Sequence, residues 1–308
     1  MNYARETDYR GVFCPVFTPF RESGEVDVEA AGVLYDHLIE GGVDGIVILG
    51  SMGEFQAIPL AERHRLIRFA VEHVRGRCKL IVGTGGTVLE DVTALTRFSE
   101  EAGADAVMSI PPYYAPVTDE GVLAYYDAIA DASKLPVLLY NFPARTGYGI
   151  PARIVGELAR RHEQIVGLKD TVDSISHTRE VIREVLSHRR DFAVLSGFDE
   201  YIFVNLLSGG AGTVNGLTNL VPALFRRGFD AFEAGDLATM QEVQALVVKL
   251  MALYTLGPNF VATFKYAISR LIPAVKPLCA PPEPPLDPER RRTLDALLDE
   301  TGVIAERR

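Results

Sequence analysis

Short apolar runs alternate with longer amphipathic stretches along the first two-thirds of the chain. Eight runs rich in Val, Ile or Leu have the length of buried β-strands, and they span residues 12–17, 45–49, 80–83, 106–110, 137–140, 165–168, 192–195 and 212–214. Between them, apolar positions recur with helical spacing, as at residues 61–75, 92–102 and 121–133. This alternation predicts parallel strands joined by right-handed helical crossovers.

Eight strand–helix units are the number that closes a TIM (β/α)8 barrel. The crossover at residues 199–209 is shorter than the others. A doubly wound open sheet is the alternative fold, but the first apolar run is not followed by the GxGxxG motif of its dinucleotide-binding members. The pattern therefore favours the barrel.

The pattern changes after Asn219. Residues 222–234, 236–254 and 259–271 are typical of consecutive helices with no strand between them. A proline-rich link at 281–285 precedes a short charged helix at 287–300. We predict a catalytic barrel over residues 1–220 and a C-terminal helical region over 221–308 that packs on it.

The composition narrows the classes of partner. The 308 residues carry a formal net charge of −10 with no basic block, so we expect neither a nucleic acid nor an anionic membrane as partner. Three well-separated cysteines without a CxxC motif argue against a disulfide framework or a zinc site. The sequence has no apolar signal segment at its N-terminus and no run long enough to cross a bilayer, which predicts a cytoplasmic location.

Metal and serine-nucleophile chemistry are not indicated. The six histidines are scattered and fall mostly in charged helical stretches, where solvated helix faces explain them better than metal ligation. No GxSxG elbow occurs. We therefore predict a site without metal, located at the C-terminal ends of the strands, where the active sites of such barrels lie.

Lys169 directly follows the sixth apolar run. If its side chain faces the barrel axis, alternation places Gly167 beneath it and turns Leu168 toward the helices. Desolvation of a lysine in that position favours the neutral amine, which can attack a carbonyl carbon. The alternative is a lysine at the barrel rim that pairs with a carboxylate.

The fifth apolar run ends in two further candidates. Alternation can turn Tyr140 inward beside Lys169 on the adjacent strand, where its phenol can carry protons during carbinolamine formation and dehydration. Arg145, two residues after a proline, can bind a substrate carboxylate through a bidentate fork. The alternatives are core filling for the tyrosine and a solvated loop for the arginine.

The sequence GSMGE at residues 50–54 follows the second run. Its small residues let backbone N–H groups approach a carboxylate, and the helix expected next adds a positive dipole end. Ser51 adds a hydroxyl that can relay protons to a tyrosine, although a tight turn explains the motif equally well. Asn215 and Gly216, after the eighth run, are further candidates for presenting backbone groups to the site.

Four segments together resemble the dihydrodipicolinate synthase / N-acetylneuraminate lyase superfamily. They are GSxGE at 50–54, PYY at 112–114, YNFPxRTG at 140–147 and GLKD at 167–170. They occur in the family's order and spacing, and the resemblance covers nearly the whole chain. It implies an enzyme that forms a Schiff base with pyruvate or a related 2-keto acid, without metal or organic cofactor, in a homotetramer that is a dimer of dimers.

The resemblance also implies roles for individual residues. Lys169 corresponds to the Schiff-base lysine and Tyr140 to the proton-transferring tyrosine. Ser51 occupies the position of a hydroxyl that links two tyrosines in a relay. Tyr114 is the second tyrosine, which in the synthases reaches into the site of a neighbouring subunit. Met52 departs from the family, where a second hydroxyl residue commonly helps to bind the carboxylate; Met52 and Gly53 are still expected to bind it through backbone amides.

Two branches of the superfamily compete. The runs YNFP and GLKDTVDS, and the Phe that follows GSMGE, look like the 2-keto-3-deoxy sugar-acid aldolases, which cleave their substrate to pyruvate and an aldehyde. Arg145 resembles instead the arginine with which the synthases bind aspartate semialdehyde. We predict the aldolase reaction. The alternatives are 4-hydroxy-tetrahydrodipicolinate synthase, a dehydratase on the same barrel, and a barrel that binds a keto acid without catalysis.

Overall fold

The computed structural model describes residues 6–304 and contains a closed barrel whose eight strands follow one another in chain order. The strands, β1 to β8, are Gly11–Pro15, Gly45–Ile48, Lys79–Gly83, Ala106–Ser109, Val137–Asn141, Ile165–Asp170, Ala193–Ser196 and Gly212–Val214. The pairings from β3 through β8, and that of β8 with β1, are parallel. Helices fill the connections, which confirms the predicted TIM (β/α)8 barrel.

Twelve helices lie within residues 6–304. Helices α1 to α12 are Val28–Glu40, Leu60–Val74, Leu89–Ala102, Asp119–Ala132, Pro143–Thr146, Ala152–Arg161, Ile175–Leu186, Ile202–Leu207, Pro222–Ala234, Leu237–Leu250, Phe260–Leu271 and Pro288–Glu300. Short 3₁₀ turns occupy Phe55–Ala57, Asp199–Tyr201, Leu217–Asn219 and Met251–Tyr254. No helix among them is long and apolar enough to cross a membrane.

The predicted strands all overlap the observed ones, but β6 is longer than expected. It continues to Asp170, so Lys169 lies inside the strand and not just beyond it. The reason is its neighbour: β5 also runs on to Asn141, and the two strands stay in register through the pair of Asn141 with Asp170. The backbone N–H of Thr171 extends this pairing by a 2.8 Å hydrogen bond to the Asn141 carbonyl.

The predicted C-terminal helices are present as α9 to α12. The predicted helix at 236–254 is two elements, because α10 ends at Leu250 and the last four residues form a 3₁₀ turn. The Asn259 side chain accepts from the N–H of Val261 and so begins α11. The boundary between a barrel at 1–220 and a helical region at 221–308 stays a prediction, and residues 1–5 and 305–308 lie outside the described residues.

The chain divides into two compact units, each with most of its contacts among its own residues. The first contains the described residues up to Phe13 and Lys79–Asn215, and an apolar cluster joins its strands β4 to β7 to helices α4, α6 and α7. Leu139 and Leu168 point into this cluster, and burying each contributes about 1.5–3 kcal/mol. Alternation therefore turns the next residue of each strand, Tyr140 and Lys169, toward the inside of the barrel.

The second unit contains Cys14–Cys78 and the described residues from Gly216 onward. Its core includes a row of aromatic rings, with the centroids of Phe17 and Phe264 5.8 Å apart and those of Phe264 and Tyr254 4.8 Å apart. Such tilted and edge-on contacts are the arrangements that aromatic pairs prefer. The row connects the segment after β1 with the helices at the C-terminal end of the chain.

Candidate active site

Lys169 and Tyr140 lie side by side on paired strands. Their Cα positions are partners in the β5–β6 register, and the two side chains are 4% and 3% exposed. The Lys169 Nζ lies 4.3 Å from the centroid of the Tyr140 ring, within the range of a cation–π contact. Among the described residues of its unit, the Lys169 amino group has no hydrogen bond or ion pair, so a rim lysine paired with a carboxylate is not what this unit contains.

Gly167 provides the space beneath Lys169. A Cβ at this position would lie 2.8 Å from the carbonyl oxygen of Ala193 on β7, closer than a real side chain can come. Only glycine therefore lets the two strands approach here. The Lys169 side chain has room below it because Gly167, two positions earlier, has no side chain.

Tyr126 of α4 holds the strand that carries Tyr140. Its hydroxyl accepts from the Tyr140 N–H at 3.3 Å and donates to the carbonyl of Ser109 at 2.7 Å. Burial raises the pKa of Tyr126 well above its usual value, so this phenol stays neutral and structural. The ends of β4 and β5 are thereby fixed to one helix.

Arg145 lies on an exposed loop with an ordered frame. It belongs to the single turn of α5, and its guanidinium is 5.9 Å from the ring centroid of Phe142. The buried Thr146 hydroxyl donates to the Tyr148 carbonyl at 2.6 Å, and the Tyr148 hydroxyl donates to the Pro112 carbonyl at 2.6 Å. Arg145 is thus presented to solvent from a loop that is held to the segment preceding Tyr114.

Tyr114 points away from the fold. Its side chain is 99% exposed and its φ is 79°, a left-handed conformation that is rare for a tyrosine. Holding a non-glycine residue there costs of order 1–3 kcal/mol. Because a strained backbone holds this large aromatic side chain in a fully exposed position, Tyr114 is a candidate for a functional role.

Thr171 is a further candidate site residue, which no motif in the sequence indicates. It follows Lys169 by two positions, and its hydroxyl oxygen is buried without a hydrogen-bond partner in the part of its unit that the structure describes. A side chain on Gly197 would overlap this hydroxyl, so the absence of a side chain at 197 leaves it room. Buried hydroxyls nearly always have a partner, and a bound substrate could supply this one.

The GSMGE segment of the second unit forms two consecutive turns. The N–H of Gly53 donates to the Gly50 carbonyl at 3.0 Å, and that of Glu54 donates to the Ser51 carbonyl at 3.2 Å. The expected helix N-terminus is not here, because a 3₁₀ turn follows and α2 begins only at Leu60. The N–H of Met52 has no partner among this unit's described residues, so it is the main-chain donor that an anion could use.

Left-handed residues flank this segment. Leu49 and Glu54 have φ values of 55° and 54°, and each costs free energy that the surroundings must offset. The Glu54 carboxylate is held by Lys265 and by a 2.8 Å hydrogen bond from the N–H of Ala280. The Gly53 carbonyl accepts from the Thr18 hydroxyl at 2.8 Å. These hydrogen bonds to Glu54 and to the Gly53 carbonyl offset the backbone strain and hold the turn in place.

The Met52 side chain is buried against Gly216. A Cβ on Gly216 would overlap the Tyr254 hydroxyl and lie 2.9 Å from Cε of Met52. The helical C-terminal region thus brings Tyr254 to the GSMGE turn, a contact between distant segments that no local pattern predicts. Asn215, on the first unit, is buried and donates to the Thr213 hydroxyl at 2.6 Å, which directs its side chain back to its own strand.

Three of the six histidines are more enclosed than a solvated helix face predicts, with side chains 26%, 18% and 21% exposed. His73, His162 and His177 each lie within 3.0 Å of an aspartate oxygen. No group of three or more His, Cys, Asp or Glu side chains within residues 6–304 is arranged to hold a metal ion. A site without metal stays a prediction.

Comparison with known proteins places this geometry in a family. A sequence model of the Dihydrodipicolinate synthetase family matches residues 8–301. The chain is 36% identical over 292 residues to "Putative 2-dehydro-3-deoxy-D-gluconate aldolase YagE" of Escherichia coli (strain K12), covering 95% of this chain and 97% of that one. It is 35% identical over 296 residues to "Probable 2-dehydro-3-deoxy-D-pentonate aldolase YjhH" of the same organism, covering 96% and 98%.

A solved structure agrees with this placement. The crystal structure of YagE in complex with pyruvate superposes with a TM-score of 0.93 over 96% of this chain and 99% of that one. The family match spans nearly all of the residues that build the barrel and the C-terminal helices. With the barrel, the buried lysine and tyrosine, and these relatives, the chain belongs to the Dihydrodipicolinate synthetase family and is a lyase of the aldolase type.

Proposed function

We propose that this chain cleaves a 2-keto-3-deoxy sugar acid to pyruvate and an aldehyde through a Schiff base on Lys169. The observation that carries the proposal is the buried Lys169 amine, 4.3 Å from the Tyr140 ring and without a carboxylate partner in its unit. The substrate class is supported by the names of the two Escherichia coli relatives, both 2-dehydro-3-deoxy sugar-acid aldolases.

The reaction needs only the groups of the chain. The neutral amine of Lys169 attacks the C2 carbonyl, and the carbinolamine loses water to give a protonated imine. Tyr140 donates its proton to the departing hydroxyl of the carbinolamine and becomes a phenolate. The phenolate then accepts the proton of the C4 hydroxyl as the C3–C4 bond breaks, and the electron pair moves into the imine to form an enamine. Protonation of the enamine at C3 and hydrolysis release pyruvate and restore Lys169. No metal or organic cofactor takes part, and activity should survive dialysis against a chelator.

The remaining groups are assigned to binding and proton relay. The N–H of Met52 is proposed to bind the substrate carboxylate. The N–H of Gly53, which was expected to help, already donates to the Gly50 carbonyl at 3.0 Å. Asn215 and Gly216 are proposed to offer further backbone groups. Ser51 takes the relay hydroxyl's role that the family resemblance assigns to it. The exposed side chain and strained backbone of Tyr114 support the proposal that this residue completes the site of a neighbouring subunit in a homotetramer. The cytoplasmic location stays a prediction.

Trapping of the imine tests the proposal. Sodium borohydride added with pyruvate should attach one reduced pyruvate unit to the peptide that contains Lys169, as read by mass spectrometry. Lys134→Ala, a substitution of an exposed lysine, is the matched control and should give the same adduct. A wild-type protein that forms no adduct would leave a barrel that binds a keto acid without catalysis.

A substrate panel then separates the branches. Pyruvate release should be fastest from 2-keto-3-deoxygluconate or a 2-keto-3-deoxy-pentonate, and slower from N-acetylneuraminate. Faster condensation of pyruvate with aspartate semialdehyde would favour the synthase, which is the alternative that Arg145 supports.

Arg145 is proposed to bind the distal end of the substrate. A guanidinium binds a carboxylate in a bidentate manner and a hydroxyl more weakly. Arg145→Ala should therefore raise the KM of substrates with a distal carboxylate by about tenfold or more, the effect of losing a charged hydrogen bond. Equal changes for acidic and neutral substrates, measured by steady-state kinetics, would remove this role.

A further inference from the structure

A closed ring of hydrogen bonds ties the Arg145 loop to the strand that carries Lys169. The Asn141 side chain accepts from the N–H of Ile150 at 3.0 Å and donates to Asp170 Oδ1 at 2.9 Å. His177 completes the ring from α7, with Nδ1 3.0 Å from Asp170 Oδ2 and Nε2 2.9 Å from the carbonyl oxygen of Ile150. Asn141 and Ile150 lie at the two ends of the Arg145 loop, so the ring holds both ends of that loop.

The ring favours the protonated form of His177. Its two nitrogens face a carboxylate oxygen and a carbonyl oxygen, and both of these atoms can only accept while Asp170 is ionised. The geometry therefore favours the form in which both nitrogens carry a proton, the imidazolium. A neutral ring has only one N–H. Asp170 Oδ2 also accepts from Thr178, so a neutral ring that donates to Asp170 leaves the carbonyl of Ile150, a residue 1% exposed, without its donor.

The surrounding charges agree with this state. Burial lowers the pKa of His177, but the hydrogen bond and charge of Asp170, the carbonyl of Ile150 and the charge of Glu180 together raise it above its ordinary value. The groups that face His177 come from three elements: Asp170 lies on β6, Glu180 lies one turn further along α7, and the loop contributes the carbonyl of Ile150. Thr178 also donates to Asp170 Oδ2, at 2.8 Å, and holds the carboxylate in place whichever form His177 takes.

The other attachment of the loop does not change near neutral pH. Tyr148 is bonded to the Pro112 carbonyl, and burial raises the pKa of its phenol to about 12. The loop therefore keeps its frame when His177 loses its proton, while the end at Ile150 loses one contact. The consequence is a shift of the loop that carries Arg145, and not an unfolding of it.

We propose that protonated His177 is a positioning residue, which sets the Arg145 loop against the Lys169 strand so that Arg145 can bind the distal end of the substrate. This inference depends on the function proposed above. His177 touches no reacting atom and acts through the loop. Its contribution is present at low pH and is lost as the pH rises through its raised pKa.

The pH dependence of KM is the first test. For a substrate with a distal carboxylate, the wild-type KM should rise about fivefold as the pH passes the pKa of His177, which is the effect of one ordinary hydrogen bond. His177→Asn keeps a donor toward Asp170 but not toward Ile150. Its KM should equal the high-pH value of the wild type and stay flat with pH, while kcat changes less than KM.

His162→Asn is the matched control. His162 lies in the same unit and its Nε2 is 2.7 Å from Asp127 Oδ1, but it does not bind the Arg145 loop. Its KM profile should follow that of the wild type. A profile that flattens equally in both variants would overturn the proposal, because the effect would then be a general one of losing a buried His–Asp pair.

A double-mutant cycle with Arg145 tests whether His177 affects KM through Arg145. In Arg145→Ala the pH dependence of KM should disappear, and adding His177→Asn should cost no more. Additive losses would show that His177 does not act through Arg145, which overturns the proposal. If His177→Asn does not fold, the wild-type and Arg145→Ala profiles decide alone, together with the His177 titration followed by NMR, where an ordinary pKa would also overturn it.

Trapping with pyruvate keeps the two proposals separate. Pyruvate has no distal group, so adduct formation on Lys169 should be independent of His177. Wild-type protein without any adduct would end the proposed function itself. A normal adduct together with a wild-type-like KM profile in His177→Asn would end only the inference about His177.

Discussion

Lys169 and Lys265 are both buried, and each holds its amino group 4.3 Å from the centroid of an aromatic ring, that of Tyr140 or of Phe20. They differ in their polar partners. Lys265 Nζ donates to the carbonyls of Thr18 and Leu278, at 2.8 and 2.9 Å, and to the Glu54 carboxylate. Lys169 has no such partner within the described residues of its unit.

The partners decide what each lysine can do. Burial lowers the pKa of Lys265 and the charge of Glu54 opposes that shift, but three acceptors around one amine match the three protons of an ammonium group. Such an amine cannot attack a carbonyl. Lys169 contacts the Tyr140 ring and has none of these acceptors among the described residues of its unit, so the chemistry proposed for it depends on what the protein leaves out around its amine.

The largest expected effect is that of Lys169→Ala. Turnover should fall by at least about 10⁴-fold, because no other residue replaces the nucleophile. The thermal midpoint should stay the same or rise, since the change removes a buried amine that makes no ion pair in its unit. Pyruvate-release kinetics and a thermal melt measure the two results, and a residual borohydride adduct would contradict the assignment.

Tyr140→Phe separates the ring from the hydroxyl. The ring contact with Lys169 remains, but the proton carrier is lost, so turnover should fall by roughly 10²–10⁴-fold. Thermal stability should change little. A negligible loss of turnover would return Tyr140 to a packing role, and Tyr126→Phe, which alters a structural phenol on α4, is the comparison to make in the same assay.

Lys265→Met should affect stability where Lys169→Ala affects turnover. Removing one partner of a buried ion pair leaves the Glu54 charge uncompensated, which costs about 3–5 kcal/mol in the free energy of unfolding. The double variant with Glu54→Gln should recover part of that loss. Urea unfolding curves measure both, and a loss below about 1 kcal/mol for the single variant would contradict the role of the pair.

Met52→Thr should have the smallest effect. A hydroxyl at this position could donate to the substrate carboxylate and lower the KM for pyruvate by up to about tenfold. The gain is reduced because the change also removes the Met52 contact beside Gly216 and Tyr254. Met52→Leu is the control that changes packing without adding a hydroxyl, and a KM equal in both variants would count against carboxylate binding at this turn.

The buried networks show which part of the site could be predicted. The pairing of Tyr140 with Lys169 follows from alternation along two neighbouring strands, so the sequence was enough. The bond between Glu54 and Lys265 joins positions 211 residues apart, and the contacts of His177 with Asp170 and Ile150 join α7 to β6 and to the end of the Arg145 loop. Helical spacing shows which face of α7 is polar, but not that an aspartate and a carbonyl face this polar side chain.

The barrel, the helices that follow it and the pair of residues at the ends of β5 and β6 could all be predicted before folding, because strand and helix periodicities are local and repeat along the chain. Three features could be seen only in the folded chain: which buried lysine is held by three acceptors, that Tyr254 packs at the GSMGE turn, and that His177 lies between a carboxylate and a carbonyl. Each of these depends on atoms that distant segments bring together, and hydrogen-bond partners at such separations leave no mark on a local pattern.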